Sequence, residues 1–305
     1  MYIIAALRET LPHSDFVRYA EKQHVRMPTA VSALPESPLY SWPQGYLTLC
    51  KILPLQSQIF ELLDADRKLA KVFAAQNAGP RNKNGRSYRG SGPTADNLED
   101  PECLKAKIFA FRPCDECDFE TVPERYTYES IRLTSTIFAH ALANHIPFSE
   151  AAAQVQGSTP CSLPMHVRVR NALLKTDTTD CWGHMAGVLF WISLIVGAAA
   201  NPAAASEGYI ARRATGDEED ARKFLAAIIV RCSIVLGFTF GPSMIATMKR
   251  MIGMQQVLRK ENTTPANIGD ATGFTGVPHT YGPPIPTPGM AQKGFVDLAQ
   301  DFLDL

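Results

Sequence analysis

One strongly apolar stretch, 181–205, reads CWGHMAGVLFWISLIVGAAANPAAA and runs without a charged residue between Asp180 and Glu207. Its apolar positions leave no polar face. A helix apolar all round is either a buried core helix or a membrane span. The most hydrophobic part, from Val188 to Val196, is short, and Pro202 breaks the far end. Basic residues flank both sides without asymmetry: Arg168, Arg170 and Lys175 before it, Arg212 and Arg213 after it. The pattern favours a central core helix, with Gly183, Gly187 and Gly197 letting neighbours approach. The alternative is a membrane-associated α-helical protein that uses 181–205 as a span.

Elsewhere the apolar residues recur at helical spacing. Residues 1–26 read as one or two amphipathic helices. Leu47, Ile52, Leu55, Ile59, Leu62, Leu63, Leu69 and Phe73 predict a helix over 46–76, broken or kinked near Pro54, with Asp64, Asp66, Arg67, Lys68 and Lys71 toward solvent. Ile131, Thr134, Ile137, Phe138, Ala141 and Leu142 predict a helix over 126–144, stopped by Pro147. A short helix over 148–154 would take Ser149 as its cap, and 165–175 forms another. The acidic start of 217–237 complements the helix dipole, and Gly237 suits its end. Gly241-Pro242-Ser243 then opens a separate helix over 240–259, with Met244, Ile245, Met248, Ile252 and Val257 as its core face. The stretch 101–122 is mixed. No alternating run is long enough to argue a sheet, so the expected fold is all-α, an irregular multi-helix bundle around a central apolar helix.

Proline and glycine set the divisions. Pro28, Pro35, Pro38 and Pro43 exclude a continuous helix over 27–44; an extended connector anchored by Tyr40 and Trp42 is expected. The loop 77–97 carries Arg81, Lys83, Arg86 and Arg89. It reads as a solvated basic insertion, or as a nuclear-import or phosphate-contacting patch. Residues 261–293, rich in Pro, Gly and Thr, read as a disordered linker. The tail 294–305 places Phe295, Leu298, Phe302 and Leu305 near one helical face among Asp297, Asp301 and Asp304. Such a segment folds into a partner's groove as an activation segment, or docks on its own domain. The expected organisation is a helical domain over 1–260, the linker, and the tail.

The chain has 305 residues, 46% of them hydrophobic and 20% charged, enough for a sizeable core. Lys+Arg and Asp+Glu are 30 each, so there is no global attraction to nucleic acid or anionic lipid. Seven thinly scattered cysteines, an odd count, fit a reducing compartment. The N-terminus lacks the basic start of a signal peptide and reads as though cut into a helix, which raises the hypothesis of an absent upstream portion.

Candidate chemistry is sparse. Cys114 and Cys117 form a C-x-x-C, a spacing that can present two thiolates to one metal, and Cys103 is the only near candidate for a further ligand. Two reduced thiols in a turn is the competing reading. His140 and His145 share a helix but lie about 140° apart around its axis, so they cannot ligate as a pair. No hydrolase elbow, zincin motif, phosphate loop or dinucleotide fingerprint occurs. No catalytic residue and no cofactor is expected, and nothing in the sequence argues for an enzyme.

Three blocks resemble the regulatory domain of fungal-specific transcription factors. The first is Tyr128-Glu-Ser-Ile-Arg-Leu-Thr-Ser through Ile137-Phe-Ala-His-Ala-Leu142 to Ile146-Pro-Phe. The second is Trp182-Gly-His, Leu189-Phe-Trp-Ile and Gly197-Ala-Ala-Ala. The third is Arg212-Arg213, Arg222-Lys223-Phe-Leu, Val230-Arg231, Leu236-Gly237 and the helix to Val257-Leu258. The resemblance implies an all-α nuclear domain that modulates transcription through co-regulators or self-association. In that family a six-cysteine binuclear zinc cluster contacts DNA. This sequence has no such cluster, so DNA is expected to be met only indirectly or through a missing N-terminal module.

Overall fold

The computed structural model describes residues 57–77, 99–157, 162–201 and 215–262, with Ile3, Leu7 and Ser37–Leu39 besides; the side chains of 184, 238–243, 246 and 260–262 are not among those described. The chain divides into two units, Met1–Thr264 and Pro265–Leu305, and the second lies outside the described residues. So do the tail positions Phe295, Leu298, Phe302 and Leu305, the insertion 77–97 apart from Asn77, and the anchors Tyr40 and Trp42.

The first unit is all-α. In chain order its helices are α1 (Ser57–Gln76), α2 (Pro101–Phe109), α3 (Val122–Asn144), α4 (Phe148–Gly157), α5 (Met165–Leu173), α6 (Ala186–Ala199) and α7 (Gly216–Asn262). Short 3-10 turns at Cys114–Glu116 and Gly183–Met185 lead toward α3 and α6. Among the described residues there is no strand.

α3 is the post against which α1, α2, α4, α5 and α6 all pack. Thr121 starts it: its hydroxyl accepts the Glu124 amide at 3.3 Å, and Pro123 occupies the first turn, where a missing N–H costs nothing. His145 ends it in the left-handed region, φ 54°, before Pro147. Ser130, Thr134, Ser135 and Thr136 are buried in the helix. Each hydroxyl donates back to a carbonyl one turn earlier at 2.7–2.9 Å, so burial leaves no hydroxyl proton unpaired.

α6 is the buried apolar helix that the charge-free run predicts. Leu189, Trp191, Ile192, Leu194, Ile195 and Val196 are fully buried, enclosed by α3, α4, α5 and α7. Trp191 meets Phe138 edge-on at 5.5 Å, and Phe138 stacks with Phe148 at 6.2 Å, tying α6 to α3 and α4. Gly197 has the expected role: a Cβ there would come within 2.5 Å of Leu7 and 3.6 Å of Ile229. The structure describes 181–201 of the charge-free run. Cys181, Trp182 and Gly183 adopt left-handed conformations (φ 54°, 63° and 52°), and the helix then covers only Ala186–Ala199, about 21 Å at 1.5 Å per residue. Among the described residues, no helix is long and apolar enough to cross a membrane.

α7 departs most from expectation. It is one helix, running through Gly237 and Pro242 where the sequence predicts a stop and a restart. Thr215 and Glu218 cap it reciprocally: the Glu218 carboxylate accepts the Thr215 amide at 2.8 Å, and the Thr215 hydroxyl accepts the Glu218 amide at 3.4 Å. α4 differs at its start. It begins at Phe148, with the Pro147 carbonyl accepting the Ala151 amide at 2.9 Å, so Ser149 lies inside the first turn instead of capping it. The stretch read as mixed contains α2, with Pro101 in its first turn.

Candidate functional site

The sequence candidates come first. Cys114 and Cys117 lie at either end of the 3-10 turn before α3, both as free thiols, Cys114 buried and Cys117 half-buried. The Glu129 carboxylate accepts the Cys114 amide at 3.2 Å while chelated by Arg132 at 2.8 and 2.7 Å, and the Tyr128 hydroxyl donates to the Arg112 carbonyl at 2.8 Å. Burial, with Glu129 and Asp115 nearby, pushes the Cys114 thiol up to about 11. Cys103 is exposed on α2. Among the described residues, no group of three or more His, Cys, Asp or Glu side chains could hold a metal ion. The Glu129 and Tyr128 contacts tie the turn to α3.

His140 Nε2 pairs with Gln154 Oε1 at 2.8 Å, and His145 is the C-cap of α3. The two remain apart, as their spacing requires. Cys181 and Cys232 come together from the loop before α6 and the middle of α7. Both are buried and reduced, and burial together with the neighbouring Cys181 thiol pushes the Cys232 thiol up. Arg231 holds this loop on α7 by donating to the Thr178 and Thr179 carbonyls at 3.0 and 2.9 Å.

Among the described residues, one arrangement that could take a ligand is a groove the sequence did not announce. A groove of about 470 Å³ lies between α1 and the C-terminal half of α7, with Pro38 and Leu39 beside it. α1 contributes Arg67, Ala70, Lys71, Phe73, Ala74 and Asn77; α7 contributes Arg250, Gly253, Met254 and Val257. Three of these are cations, and no acidic side chain, histidine or thiol is among the described lining residues. Asp64, one turn before Arg67, pairs with Arg67 and, at 3.4 Å, with Lys68. Arg250 donates to the Leu39 carbonyl, which fixes its guanidinium at the groove. Partial burial, then the Arg67 guanidinium and also Arg250, hold the Lys71 ammonium below the usual lysine range, with Asp64 opposing them. Positive charge from two separate helices is thus gathered over an apolar wall, an arrangement that can orient an anion.

The described chain is therefore an all-α domain with a cationic, apolar-walled groove. No family model, no curated protein and no solved structure matches it.

Proposed function

We propose that this chain is a regulatory helical domain that acts by binding, of the kind found in fungal-specific transcription factors, and that the groove between α1 and α7 is its effector seat. The observation that carries the reading is the groove. Its walls come from helices that do not pack extensively on one another, and like charges face each other where a packed interface would place apolar side chains. A ligand that joins two helices otherwise in little contact can bias how they sit, which is what a regulatory domain needs to switch. Among the described residues, the lining offers orientation and charge but no carboxylate, imidazole or thiol. The resemblance supports the transcriptional setting: of its three blocks, the first lies along α3, the second on the loop and helix of α6, the third mainly on α7. Protein contacts would fall on the outer face of α7, where Val230, Ile234 and Val235 are exposed. On this reading the protein works in the nucleus, meets co-regulators or itself, and reaches DNA through another module, with Phe295, Leu298, Phe302 and Leu305 as the activating side chains of the tail.

The test is a tethered reporter. The whole chain, fused to an unrelated DNA-binding domain in yeast, should change transcription at its operator. Phe302→Ala should reduce the tail's share, and Val230→Lys with Ile234→Lys should reduce the domain's share. A reporter indifferent to the tethered chain would overturn the regulatory reading.

A further inference from the structure

We infer that the groove binds a small amphipathic anion, a molecule with one oxyanion head and an apolar body, and that the head bridges α1 to α7. This deepens the regulatory reading by naming the effector's chemistry, and rests on it only for what the binding is for.

The two walls are matched stripes. On α1 the groove residues Arg67, Ala70, Lys71 and Ala74 recur at i, i+3, i+4 and i+7; on α7, Arg250, Gly253, Met254 and Val257 do the same. Each set is therefore one face of its helix. Helices built to pack directly would set interlocking apolar side chains on such faces. These faces instead carry cations, with Ala70, Ala74 and Gly253, the smallest side chains available, between them. Gly253 is the telling position. Glycine is a poor choice inside a helix, and no close packing calls for one here: a Cβ at 253 would meet nothing within 4 Å. What glycine does there is leave the groove open.

The charges select the ligand's head. Asp64 is set against Arg67 and Lys68, and among the described residues no carboxylate lines the groove beside Lys71 and Arg250. They come from opposite walls, so an oxyanion between them turns a repulsion across the groove into two attractions. Guanidinium groups suit carboxylate and phosphate oxygens alike. The walls select the body: Pro38, Leu39, Phe73, Met254 and Val257 are apolar, and the volume falls in the usual range for small-molecule sites, roughly 300–1,000 Å³. A bare inorganic ion would leave that wall unused, and a neutral amphiphile would leave the cations unmatched. Because α1 and α7 otherwise lack extensive contact, the bound head would clamp the C-terminal half of α7 to α1.

Isothermal titration of the full chain with decanoate and with decyl phosphate, below their micellar concentrations, tests this; the two arms separate a carboxylate head from a phosphate head. At least one should bind saturably at one per chain, with inorganic phosphate and decanol each at least tenfold weaker. Lys71→Gln combined with Arg250→Gln should weaken binding at least tenfold, with the far-UV dichroism and melting of the free protein preserved. Gly253→Phe removes no charge and should abolish binding by filling the groove. Silence from both amphiphiles, equal binding of decanol, or binding indifferent to both variants would overturn the inference. Binding with an unresponsive reporter would leave the site standing and remove the regulatory reading; a responsive reporter without binding would do the reverse.

Discussion

Asp66 is a carboxyl group in the core, fully buried on α1. Ser135 Oγ lies 2.5 Å from Asp66 Oδ2 and 2.9 Å from the Ile131 carbonyl. One hydroxyl proton cannot serve both, so the pair is complete when Asp66 carries a proton and donates to Ser135, which donates to Ile131. Burial raises the Asp66 carboxyl well above its ordinary 3.8, and the Ser135 hydrogen bond only partly opposes this. The sign follows: the folded state holds the proton more tightly, so the contribution to stability is full below about pH 3.8 and is lost as pH rises through the folded value. Asp66→Asn should therefore stabilise the protein by about 2 kcal/mol at pH 8, the scale of one badly buried polar group, and by much less at pH 4. Paired thermal melts at the two pH values check this. His166 acts in the opposite sense. Burial, then Arg222, lowers its imidazole from 6.5 to about 4. Its contribution is present above pH 6.5 and is lost as pH falls toward 4, at most about 3 kcal/mol. His166→Gln should flatten that acid limb in a urea-denaturation series. The sequence placed Asp66 toward solvent with its charged neighbours. Periodicity alone could have placed it with the core, since it falls between Leu62, Leu63 and Leu69 on the inner face; residue type overruled position.

At the scale of the element, helix existence was legible where the apolar stripe was strong. α3 and α5 begin and end within a few residues of expectation because capping, proline and periodicity agree there. α2 was lost because nine residues with only Leu104 and Ile108 buried give too short a stripe to establish a period. α7 was divided because Gly237 and Pro242 carry the usual punctuation of a helix end. Tertiary packing overrides that punctuation: Leu225, Ile228, Ile229, Cys232 and Leu236 before it, and Met248, Met251 and Ile252 after it, are all buried. Pro242 still lacks the N–H that its turn requires. Pro242→Ala should therefore stabilise the protein by about 1–3 kcal/mol in chemical denaturation; an unchanged or lowered midpoint would mean that the proline starts a second helix. Thr215→Ala removes the reciprocal cap and should cost about 1 kcal/mol in the same assay.

For the whole molecule, the central apolar helix was legible and the groove was not. A charge-free run is a local property of the chain. The groove joins residues near 38, 70 and 253, and no local pattern reports that they meet. The same architecture orders the unit's stability. Amides of α6 and the middle of α3, enclosed by several helices each, should exchange with deuterium only on global unfolding, whereas α2 should exchange by local opening. Mass spectrometry of peptides from a time course reads this order directly. The cysteines add a clock to that ladder. Cys103 stands in solvent, Cys117 is half-covered, Cys114 is buried at the edge of α3, and Cys181 and Cys232 face each other beneath the loop that Arg231 pins. An alkylating reagent would thus tag them in sequence, each rate timing the opening of one layer. Among the described cysteines, Cys181 and Cys232 would react last and, without any engineered label, report how often the native protein parts α7 from the loop before α6.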